Sequence, residues 1–144
     1  MARILGIDYG KKRVGVAVSD PLQIFASPLK TVNVQEFEAF LNDYLLTEQV
    51  EAFVIGYPVR LNNQPSESVK YIDPFIARLR KKFPQQQLHL VDERFTTSIA
   101  KQSMIDGGMK KKDRQNRFIA DMISASIILQ SFLDNRTMKK DKIH

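Results

Sequence analysis

Two short apolar runs, Arg3–Asp8 and Val14–Ser19, flank the segment Tyr9-Gly10-Lys11-Lys12-Arg13, and the second run is rich in β-branched residues. This opening constrains the fold more than any other feature, because strand-like runs joined by a short turn containing glycine predict a β-hairpin. The first strand of that hairpin closes on an acid, Asp8. A third short strand is expected within Leu29–Val32. Phe37, Phe40, Leu41, Tyr44 and Leu45 then recur at helical spacing, which predicts an amphipathic helix from about Val34 to Leu46. Ala52–Ile55 reads as a buried strand stopped by Gly56 and Pro58. A second helix is expected to start near Pro65, with Val69, Ile72, Ile76 and Leu79 on one face. Pro74 lies inside that pattern and should kink or divide it. A strand at Leu88–Val91 follows, then helices at about Thr97–Asp106 and Arg114–Asp134, separated by Gly107-Gly108. Antiparallel strands at one edge followed by alternating helices and strands imply an α/β domain: a five-stranded mixed sheet with helices on both faces.

The chain of 144 residues suits one domain, expected over residues 1–135, with residues 136–144 as a basic, disordered tail. It holds no cysteine and only two histidines, His89 and His144, which excludes a disulfide framework and a cysteine- or histidine-rich metal site. No apolar run approaches the roughly 20 residues needed to span a bilayer. The opening apolar stretch reaches Asp8 too soon for a signal-peptide core. The expectation is a cytoplasmic protein with no membrane partner. Net charge is +6, and it is localised: Lys101, Lys110, Lys111, Lys112, Arg114 and Arg117 cluster, whereas Val34–Gly56 carries five acids and no base. A basic region of this kind fits a protein that meets a polyanion with one face.

In such a sheet, function gathers at the carboxyl ends of the parallel strands. Asp8 closes the first strand, Gly56-Tyr57-Pro58 the fourth and Asp92-Glu93 the fifth. Asp121 borders the apolar stripe of Phe118, Met122, Ala125 and Leu129 on the last helix. Each acid has an ordinary structural use. Asp8 could accept backbone donors in the turn, Glu93 could pair with Arg94 or cap a helix, and Asp121 could pair with Arg13 or Arg117. Gathered at one edge, however, the three would repel by about 3 kcal/mol per pair at roughly 5 Å, against a typical domain stability of about 5–15 kcal/mol. A divalent cation relieves that repulsion, and an all-oxygen set suits Mg²⁺ or Mn²⁺. The metal-free protein is then expected to be strained by its own acids, with Asp121→Asn leaving the fold as stable or more so. Tyr9 and Tyr57 are the aromatics expected near this edge.

Four segments, ILGIDYGKKRVGVAVSD, GYP, VDERFTT and RFIADMISASIILQSFL, occur in an order and spacing that resemble the YqgF family, also called RuvX. The resemblance runs from about Arg3 to Leu133, although Leu61-Asn62-Asn63-Gln64 lacks a glycine often found after GYP. It implies an RNase H-like fold whose first three strands are antiparallel and whose last two run parallel to the first. It also implies kinship with Holliday junction resolvases and with candidate nucleases for the 5′ end of pre-16S ribosomal RNA. The family's three acids fall on Asp8, Glu93 and Asp121, as catalytic residues and as ligands of Mg²⁺ or Mn²⁺. Lys12, Arg13, Arg94, Lys110, Lys111, Lys112, Arg114 and Arg117 are the candidates for nucleic-acid contact, Arg being suited by its planar fork of donors. The implied partner is structured RNA or branched DNA, bound by a monomer or weak homodimer. The alternatives are a dimeric junction resolvase and a non-catalytic nucleic-acid-binding module.

Overall fold

A computed structural model describes residues 2–58, 69–92 and 116–143, with side chains as far as residue 136. The strands are β1 (Arg3–Tyr9), β2 (Arg13–Ser19), β3 (Ala26–Asn33), β4 (Val50–Tyr57) and β5 (Gln87–Asp92). The helices are α1 (Phe37–Thr47, after a 3-10 turn at Val34–Glu36), α2 (Val69–Lys82) and α3 (Arg117–Ile143). The strand order is β3-β2-β1-β4-β5. β1 pairs antiparallel with β2 and β2 with β3, while β4 lies parallel to β1 and β5 parallel to β4. This is the sheet that the family resemblance implies. The expected helix at 97–106, the Gly107-Gly108 break and the loop after GYP lie outside the described residues.

β1 and β2 are buried on both faces and read as continuous apolar runs, as central strands do. β3 is longer than its expected core at Leu29–Val32. It is an edge strand with mostly exposed residues, and its register slips between the pairs Val16↔Lys30 and Ala17↔Pro28. A proline beside a bulge on an edge strand breaks no interior ladder, which is why the sequence pattern hides this half of the strand. Pro74 does not divide α2. Ile72, Phe75, Ile76 and Leu79 are buried around it, and that packing outweighs one lost helical hydrogen bond.

Two cores lie on opposite faces of the sheet. Under α1 and α2, Leu5, Ile7, Tyr9, Val14, Val16, Phe37, Phe53, Ile55 and Phe75 form one cluster. Tyr9 stacks on Phe75 at 3.8 Å between ring centroids, and Phe37 meets Phe75 edge-on at 5.6 Å. Under α3, Ile4, Ala17, Ala52 and Val54 pack against Ala125, Ile128, Leu129 and Leu133. α3 does not end near Asp134. Its backbone stays helical to Ile143, through the segment expected to be a disordered tail.

Candidate functional site

Side chains alternate along a strand. Leu5, Ile7 and Tyr9 of β1 belong to the α1/α2 cluster and Ile4 to the α3 cluster, so Asp8 lies on the α3 face, half-buried. Tyr9, expected at the edge, is a core residue instead. Asp8 pairs directly with Gly15 of β2. A Cβ at Gly15 would stand 2.1 Å from the backbone oxygen of Asp121, and one at Gly6 would stand 2.7 Å from both Ala125 O and Leu129 Cβ. The backbone of α3 therefore rests on the sheet at two points one helical turn apart. The first of these contacts seats Asp121 over the Asp8–Gly15 pair. Glycine within a strand is a sequence signal for close backbone approach, and Gly6 and Gly15 are the residues in the sequence that carry it for this clasp.

The hairpin delivers the next group. Gly10 N–H donates to Arg13 O at 2.8 Å, and a Cβ at Gly10 would meet that same oxygen at 2.8 Å. Val34 N–H donates to Lys12 O at 3.0 Å, tying the turn to the start of α1. Arg13, at the head of β2, donates from Nε to Asp121 Oδ2 at 2.9 Å, and its guanidinium carbon lies 5.6 Å from the centre of the Phe118 ring. Of the two partners considered for Asp121, the structure has Arg13. The side chains of the pair are 22% and 26% exposed, so neither charge is fully withdrawn from water. The expectation of a carboxylate strained by like charge is corrected at this residue: an arginine compensates it.

Phe118 also departs from expectation. Placed by periodicity in the apolar stripe, it is 48% exposed. Burial along the stripe begins at Ala125, and the Phe118 ring lies outside it. The backbone of Phe118 is nonetheless held. Asn116 Oδ1 accepts from Phe118 N–H at 3.0 Å, and the Thr31 hydroxyl of β3 donates to Phe118 O.

At the far side of the same edge, the registers Ile7↔Ile55 and Ile55↔Leu90 align the carboxyl ends of β1, β4 and β5. Asp92 thus ends β5 at the edge that holds Asp8. Tyr57, which closes β4, donates its hydroxyl to Asp73 Oδ1 of α2 at 2.8 Å. That bond to a carboxylate holds the Tyr57 phenol above its ordinary range. Lys12 and Arg117 are exposed near the acids in sequence. Glu93, Arg94, Lys110, Lys111, Lys112 and Arg114 lie outside the described residues, and among the described residues no group of three potential ligands forms a metal cluster. What the structure brings together is Asp8, Asp121, Arg13 and Phe118 on one face.

The sequence profile of a family described as RuvX, Holliday junction resolvase, matches residues 2–135. A protein of Phocaeicola vulgatus, named as a candidate pre-16S rRNA nuclease, is 53% identical over 136 residues, covering 94% of this chain and 98% of its own. A protein of the same name from Bacteroides thetaiotaomicron is 48% identical over 136 residues, covering 94% and 99%. Among solved structures, fowlpox virus resolvase bound to Holliday junction DNA superimposes with a TM-score of 0.58 at 10% identity, covering 92% of this chain and 97% of that one. T. thermophilus RuvC with its junction substrate gives 0.57 at 16% identity, covering 95% and 96%.

Proposed function

Since this chain belongs to the RuvX Holliday junction resolvase family, we propose that it is a divalent-metal-dependent endonuclease that hydrolyses phosphodiester bonds, with the 5′ end of pre-16S rRNA as its target. The observation that carries the reading is the clasp at Gly15, which seats Asp121 over the Asp8–Gly15 pair. Two carboxylates from distant parts of the chain share one face of the sheet at its carboxyl edge. The relatives' shared name supports the choice of RNA target.

Asp8 and Asp121 offer only hard oxygen donors, which fits Mg²⁺ or Mn²⁺ and excludes a soft metal. Glu93 completes the proposed set. When bound, the ion supplies Lewis acidity and screens the charge of the phosphodiester. The chain's own groups do the rest. Asp8 sits on a central strand and Asp121 on the helix packed against it. Arg13 engages Asp121 through Nε, and a guanidinium has further donors on Nη1 and Nη2, an edge suited to a phosphate oxygen. Lys12, Arg94, Lys110, Lys111, Lys112, Arg114 and Arg117 supply non-specific attraction for the backbone, which positions a substrate without reading its sequence. Substrate shape then decides what is cut.

The test is cleavage by purified protein of RNA carrying the extended 5′ end of 16S, of single strands and of four-way DNA junctions, with and without Mn²⁺. Metal-dependent cutting of the RNA, abolished by Asp8→Asn, is the expected result. Cutting confined to junctions would assign a resolvase instead, as the likeness to junction-bound structures would favour. Binding unaffected by metal, with no cleavage anywhere, would leave a passive binding module.

A further inference from the structure

Among the described residues, Phe25 and Phe118 are the aromatic side chains left largely in water, at 67% and 48% exposure. They sit at opposite ends of β2. Phe25 occupies the turn that joins Ser19 to Ala26, about 20 Å along the strand from Arg13. Phe118 lies at the acid end, three residues before Asp121 on α3, a spacing that puts the two side chains on one side of the helix.

The backbone of Phe118 is held on both sides, and its ring lies beside Arg13. Asn116 caps its backbone N–H, Thr31 holds its carbonyl, and Arg13 lies 5.6 Å from its centroid while also gripping Asp121. One arginine thus links the aromatic ring to the acid. Tyr9 is buried against Phe75 and the Tyr57 hydroxyl is committed to Asp73, so neither of the two expected tyrosines offers a comparable surface.

We propose that Phe118, backed by Arg13, is a stacking platform for one unpaired nucleobase of the strand whose phosphate is presented to Asp8 and Asp121. This deepens the nuclease reading and rests on it. Stacking accepts any base, since every base has a π-face. The platform would therefore favour a splayed, single-stranded nucleotide at the cut over one held in a helix, and would do so without a sequence preference. Phosphates held by basic side chains could not make that distinction.

The chain contains no tryptophan, so Phe118→Trp creates a single indole whose emission reports stacking directly. The measurement uses an RNA oligonucleotide and an abasic strand of equal length and charge, with Mg²⁺ and in an Asp8→Asn background that leaves the strand uncut. Phe25→Trp serves as the distant control. Quenching of the Phe118→Trp indole by RNA but not by the abasic strand, with no quenching in Phe25→Trp, is expected. Phe118→Ala should weaken RNA binding about tenfold, with Phe118→Tyr restoring it. RNA binding with equal emission changes in both indole variants, and an affinity untouched by Phe118→Ala, would overturn the platform and leave the nuclease reading standing. No RNA binding by any variant or by the parent would overturn both.

Discussion

The two faces of the sheet are packed by different rules. Beneath α1 and α2 the sheet presents Leu5, Ile7, Tyr9, Val14 and Val16, large side chains that keep the helices at an ordinary side-chain distance. Beneath α3 it presents Ile4 and Val54 together with the small residues Gly6, Gly15, Ala17 and Ala52, and at the two glycines the helix backbone comes down onto the strands. The first arrangement supplies apolar burial. The second gives up part of that burial and gains position: where the helix backbone meets a glycine of the strand, the residue at the contact is seated over a chosen strand residue. That residue is Asp121. A site built from acids far apart in sequence belongs on the face where the packing tolerates no play.

The contrast can be broken from either side. Phe37→Ala, on the large-residue face, should cost about 3–5 kcal/mol of stability by leaving a cavity, yet cleavage per folded molecule should survive. Urea unfolding combined with the cleavage assay measures both. Gly15→Ala should cost less, about 1–3 kcal/mol from overpacking, and should abolish cleavage because Asp121 must move away from the added methyl. If it folds and cuts normally, the clasp does not position the acid.

Asp121→Asn should lower the stability of the metal-free protein by about 1 kcal/mol, the scale of a part-exposed ion pair. This reverses the sign expected from three uncompensated acids. Combining it with Arg13→Ala in a double-mutant cycle should return a coupling of about 0.5–1 kcal/mol. A coupling of zero would mean that the pair contributes nothing measurable.

The smallest effect lies at the opposite end of β2. Asp20 accepts from the backbone N–H groups of Leu22, Ile24 and Phe25. The Phe25 bond foremost, with the Ile24 and Leu22 bonds adding to it against desolvation, holds its carboxyl below the ordinary value of 3.8. A depressed folded pKa means that the carboxylate's stabilising contribution is fully present above the ordinary value and is lost as pH falls through the lowered one. Amide exchange at Ile24 and Phe25 should quicken relative to the rest of the sheet in that acid window. Asp20→Asn should remove the pH dependence while leaving the α3 face unaffected.

Sequence patterns alone determined where the strands and helices fall along the chain, because those signals are local, whereas the order of the strands in the sheet was implied by the family resemblance. β-branched runs, a glycine-containing turn and helical periodicity each act within a few residues, and the four motifs matched a known family over nearly the whole chain. Edges were legible only in part. β3 extends beyond its apolar stretch because an exposed strand lacks apolar alternation, and the end of α3 has the charged composition of solvent-exposed coil. Three facts were decided by tertiary structure: that Asp121 pairs with Arg13, that Phe118 faces water while Tyr9 is buried, and that Gly6 and Gly15 lie under one helix. The Arg13–Asp121 bond joins residues 108 apart in the chain. Periodicity says which side of a helix is apolar, but the sheet beneath decides how much of that side is covered, and where the cover ends a side chain is left free to do chemistry.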